Sequence, residues 1–76
     1  MHLDANENTH AAVAARRRAD DARRRAVAAR EAAEQATTEY ARLAHHRVAD
    51  LHTELALTHE DLARTLVSVD GDAPGG

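Results

Sequence analysis

The chain has 76 residues, no Cys, Trp or Phe, a single Tyr, six His, ten basic residues that are all Arg, and a net charge of −3. That length limits it to one small domain, and the shortage of large apolar and aromatic side chains argues against a deep core or a walled substrate pocket. With Tyr40 as the single aromatic, neither an enzyme, a cofactor nor a small-molecule substrate is expected; without Cys there are no disulfides, thiolate metal ligands or cysteine nucleophiles.

Residues 1–9 are polar. Asp4, Asn6, Glu7, Asn8 and Thr9 offer N-caps, and Asp4 with Glu7 three residues on is a weak capping box. The opening has no basic-then-apolar leader pattern, and no uncharged apolar run approaches the ~20 residues that span a bilayer. Cytoplasmic placement is the expectation, with no membrane partner.

Residues 10–69 contain neither Gly nor Pro and are dominated by Ala, Arg, Leu and Glu, all good helix formers. An all-α fold follows. In the first half, Ala12, Ala15, Ala19, Ala22, Ala26, Ala29, Ala33 and Ala36 recur at spacings alternating between three and four. That is a heptad seam with Ala at every a and d position. Tyr40 and Leu43 continue it, but Arg47 and Asp50 then break the register. A second series follows: Ala44, Val48, Leu51, Leu55, Thr58, Leu62, Thr65 and Val69. The expected partner-binding seam is therefore small in its first half and larger in its second, where Tyr40, Val48, Leu51, Leu55 and Leu62 carry most of the volume. Gly71 and then Pro74 mark a stop, with a disordered tail expected over 70–76.

Charge divides the chain the same way. Residues 11–30 hold seven Arg and two Asp, a net of +5, and residues 31–70 hold eight acids and three Arg, a net of −5. Laying a basic, small-seamed half against an acidic, large-seamed half requires antiparallel pairing. A parallel pair would stack Arg on Arg and Ala on Ala. Two architectures satisfy this. One is a near-continuous coiled-coil helix pairing with a second copy or with another helical protein. The other is a two-helix antiparallel hairpin turning near Thr37-Thr38. Helix–helix turns usually recruit Gly, Pro, Asn or Asp, and none stands near the midpoint, so the continuous helix is the leading expectation.

Three constellations bear on function. Arg16, Arg17, Arg18, Arg23, Arg24, Arg25 and Arg30 form two triplets one heptad apart plus a seventh Arg, a stripe with the charge to contact phosphates. Asp20 and Asp21 stand four residues before Arg24 and Arg25, the favourable order for intrahelical ion pairs. No aromatic or amide side chain stands beside the stripe for base recognition. An accessory nucleic-acid-binding helix is thus the alternative to a structural or adaptor coiled coil. His45, His52 and His59 are spaced by seven, and they suggest a pH-responsive or metal-responsive regulator. One heptad is ~10 Å along a helix, too far for two of these imidazoles to share an ion. His46 with Asp50 is a within-helix pair that lacks a third ligand, so no metal site is assigned. His59-Glu60 opens like a zinc-protease helix motif, but Ala63 stands where the second His is required.

The stretch His46-Arg47-Val48-Ala49-Asp50-Leu51-His52, with Ala56 and His59, resembles the His/Ala/Leu heptads of short helical proteins from actinobacteria. The resemblance covers less than a third of the chain. It implies a helical fold and a bacterial source, which the heavy use of Ala, Arg and Asp also suggests, and it implies no activity.

Overall fold

In a computed structural model the backbone is described for residues 3–71 and the side chains for residues 7–67. Two α-helices of equal length, α1 (Leu3–Gln35) and α2 (Glu39–Gly71), fold back on each other as an antiparallel hairpin. Among the described residues there is no strand. The hairpin measures 60 × 14 × 12 Å.

Of the two architectures, the hairpin is the one adopted, and the continuous rod is not. The break is three residues long, Ala36-Thr37-Thr38, and its chemistry is local. The Ala36 amide donates to the Ala33 carbonyl at 3.2 Å, tightening the last turn of α1. The Thr38 hydroxyl then accepts from the Ala41 amide at 3.1 Å, an N-cap for α2. Glu39, in the first turn of α2, suits the positive end of the helix dipole and accepts a hydrogen bond from Arg42 at 2.7 Å. No described residue adopts a positive φ. The turn never enters the left-handed region, so it has no need of the Gly or Asn that such turns usually recruit.

The helical region begins earlier than expected. α1 starts at Leu3, inside the segment assigned to a polar cap, and α2 runs through Gly71. The expected tail lies, from residue 72 onward, outside the described residues.

The core is built from methyl groups. α1 buries Ala12, Ala15, Ala19, Ala22, Ala26, Ala29 and Ala33, the seam read from the sequence, and Ala36 at its end is half-buried. α2 meets it with Ala49, Ala56 and Ala63. Ala63 packs with Ala12 and Ala15, with Leu66 alongside, and Ala56 packs with Ala19 and Ala22. Ala56 and Ala63 therefore each nest against two α1 alanines one turn apart. Between these alanines, His45, His52, His59 and Leu66 are half-buried. The inner face of α2 is thus His45, Ala49, His52, Ala56, His59, Ala63, Leu66, again with alternating spacings of four and three.

This corrects the expected seam of α2. Val48, Leu51, Leu55 and Leu62 do not face α1; they are 42%, 59%, 43% and 44% exposed, and Tyr40 is 85% exposed. Ala44, Thr58 and Thr65 are exposed too, and Val69 lies beyond the residues whose side chains are described. The physical reason is shape. An Ala seam lets a second helix approach closely only if that helix also presents small residues at the same period, and Ala49, Ala56 and Ala63 do so. The same rotation of α2 brings Glu60 to Arg23 and Thr53 to Arg30.

Candidate interaction surface

The two edges of the hairpin have different chemistry. Along one edge the two helices are clasped by polar groups. Arg23 donates to both carboxylate oxygens of Glu60, from Nε and from an Nη, each at 2.7 Å. This bidentate fork is the strong geometry for an Arg–carboxylate pair. One turn pair away, Arg30 donates to the Thr53 hydroxyl at 3.0 Å, and that hydroxyl donates to the Ala49 carbonyl at 3.0 Å. The Arg23 bond, together with its charge, holds the Glu60 carboxyl below the usual carboxylate range, and Glu60 in turn raises the guanidinium. Both groups are solvent-accessible, so this clasp sets alignment more than stability.

Among the described residues, the opposite edge and outer side of α2 carry no such clasp. On the helical wheel, Tyr40, Ala44, Val48, Leu51, Leu55, Thr58, Leu62 and Thr65 form one continuous stripe, about 100° around the helix from the face that meets α1. From residue 40 to residue 65 the stripe is ~38 Å long. Arg47, Glu54 and Asp61 line its outer border at seven-residue intervals. Arg18 and Arg25, on the α1 edge next to Val48, Leu55 and Leu62, border it on the other side. A stripe with heptad spacing and charged borders has the form of a coiled-coil face without its second helix.

The seven arginines of α1 are dispersed by the hairpin rather than gathered into one surface. Arg16, Arg23 and Arg30 share the clasped edge, Arg18 and Arg25 the other edge, and Arg17 and Arg24 the back of α1. Arg23 and Arg30 are engaged by α2. Arg24 pairs with Asp21, three residues before it, rather than with Asp20 as the four-residue spacing suggested. Arg64 is likewise paired with Asp61.

The histidine series is divided as well. His45, His52 and His59 are half-buried along the inner face, whereas His46 is exposed. The Nδ1 atom of His59 is shut off from solvent with no hydrogen-bond partner. Among the described residues no three His, Asp or Glu side chains converge as a metal site. Among the described residues no helix is long and apolar enough to cross a membrane.

The residues that sequence reasoning missed are Ala49, Ala56 and Ala63. Their signal was present: three alanines spaced by seven, each three or four residues from a histidine of equal period. The bulkier leucine series on the neighbouring face masked it. Comparison with known proteins adds no relative to this description: no protein-family profile, curated protein or solved structure matches the chain.

Proposed function

We propose that the chain is a small structural or adaptor module that works by association, binding a helix of a second copy or of another helical protein along the outer stripe of α2. One observation carries this reading. α2 spends Ala49, Ala56 and Ala63 on α1 and leaves Val48, Leu51, Leu55 and Leu62 outside, in heptad phase. A Leu stripe left in water forgoes ~1.5–3 kcal/mol for each side chain that a partner would bury. An alanine core recovers only about 0.8 kcal/mol per methyl, so the hairpin has little to hold it until a second layer covers the stripe.

The Arg-based nucleic-acid reading has weaker support. Its basic residues are spread over three faces, and Arg23, Arg24 and Arg30 already have protein partners.

Sedimentation and circular dichroism over a concentration series test the proposal. Leu55→Asp with Leu62→Asp should abolish association and most of the helicity, because carboxylates would be forced into a covered apolar seam. Val13→Asp with Ala28→Asp, both at exposed positions of α1, should change association little. Equal sensitivity of the two pairs would remove the proposal. So would a cooperative melt that is independent of concentration and unaffected by the Leu→Asp pair. Steeply salt-dependent binding to a short duplex would favour the nucleic-acid reading instead.

A further inference from the structure

We infer that the outer stripe of α2 is self-complementary and that its occupant is α2 of a second copy, running antiparallel, in a four-helix assembly with the two turns at opposite ends. This rests on the association reading above and adds to it a partner, an orientation and a register.

Surface area supports an occupant of this size. The chain exposes 5779 Å². A compact monomer of 8.2 kDa exposes roughly 4,500 Å², so the excess is about 1,200 Å². Part of that excess is the outer face of α2, and a standard interface covers ~800 Å² on each partner.

Side-chain volume supports a copy in one register. When two α2 helices cross antiparallel about residue 53, Leu51 meets Leu55 of the second copy, Val48 meets its Thr58, and Ala44 meets its Leu62. Symmetry repeats each pairing. Ala44 then sits against a leucine rather than another alanine, Val48 and Thr58 are nearly equal in size, and the widest layers, Leu51 with Leu55, lie at the centre. A parallel in-register pair would instead set Ala44 on Ala44 and Thr58 on Thr58, leaving gaps between leucine layers that are costly to leave empty.

Charge selects the same orientation. Arg47, Glu54 and Asp61 share the outer border of the stripe. In an antiparallel pair such border positions face each other across the seam. Arg47 then faces Asp61 of the second copy, twice by symmetry, and Glu54 faces its own symmetry mate at the centre, so two opposite-charge pairs stand against one like pair. In a parallel pair Arg47 faces the second copy's His52, and neither carboxylate is answered by an arginine.

Cross-linking reads the orientation directly, since the chain has no Cys of its own. Val48→Cys and Thr58→Cys are made separately and oxidised alone and as a mixture. Circular dichroism checks that each variant stays helical, and sedimentation of the unmodified chain is measured alongside. In the inferred register two copies of residue 48 lie ten residues out of step, ~15 Å along the axis. That exceeds the 4.4–6.8 Å Cα separation of a disulfide. The same holds for two copies of residue 58. The expected result is a covalent dimer from the mixture and from neither variant alone. Dimers from each variant alone would mean a parallel pair; they would overturn this inference and leave association standing. A sedimenting dimer with no cross-link in any sample would likewise overturn the register alone. An unmodified chain that remains monomeric at every concentration would overturn the self-pairing itself. If its melt is also unaffected by the Leu→Asp pair, the association proposal falls with it.

Discussion

Ala56→Leu tests the rotation of α2 about its own axis. Ala56 is fully buried against Ala19 and Ala22, so a Leu at this position has no free space to occupy. Three added carbons must push the helices apart locally. Overpacking of this kind costs ~1–3 kcal/mol, and separation would also stretch the Arg23–Glu60 clasp one turn away. For a domain of this size, 1 kcal/mol shifts the melting midpoint by ~4–8 °C. A loss of 2 kcal/mol is therefore a drop of roughly 8–16 °C, well outside the error of a thermal melt followed by circular dichroism. Ala28→Leu is the control, because Ala28 is exposed and Leu is nearly as good a helix former as Ala. Its midpoint should move by a couple of degrees at most. The contrast discriminates sharply. Had Val48, Leu51, Leu55 and Leu62 faced α1, residue 56 would lie off the seam, and a leucine there would be neutral or stabilising. An unchanged or raised midpoint for Ala56→Leu would refute the described packing of α2.

Three further outcomes are expected. Thr38→Ala removes the hydroxyl that accepts from the Ala41 amide and should cost about 1 kcal/mol, whereas Thr37→Ala should cost less; equal losses in urea melts would show that Thr38 is not the cap. The Glu60 carboxyl titrates below its ordinary value because Arg23 binds its charged form. Its contribution is therefore complete above the unfolded carboxylate value and is lost as pH falls through the depressed folded value. Carboxyl NMR titration should show that depression, and Arg23→Ala should return it towards normal; a shift that survives the substitution would detach Glu60 from the clasp. His45, His52 and His59 lie half-buried on the inner face of α2, and replacing all three with Gln should lower the melting midpoint at fixed pH and concentration; an unchanged midpoint would remove the imidazole rings from the packing between the helices.

Much of this fold is legible in the residues themselves. Gly- and Pro-free runs of Ala, Arg, Leu and Glu make helix by local propensity alone. The strict three-four recurrence from Ala12 to Ala33 marks the seam, because a helix with methyls at those positions has one face that approaches another backbone closely. The opposite charges of the two halves point to antiparallel pairing, and the structure realises that pairing within one chain. That the chain turns rather than running on as one helix was not legible, although Thr37-Thr38 marked the place where a hairpin would bend. Ala36-Thr37-Thr38 carries none of the usual turn residues, yet one tightened hydrogen bond and one hydroxyl cap redirect the chain without any positive φ. Nor was the choice of face on α2. Two heptad series run along that helix about 100° apart, alanine with histidine on one and leucine with valine and threonine on the other. Periodicity and hydropathy favour the leucines. Only the partner surface decides between them: the alanine seam of α1 admits Ala49, Ala56 and Ala63, with Glu60 and Thr53 falling under Arg23 and Arg30, and so the larger apolar side chains are left on the outside.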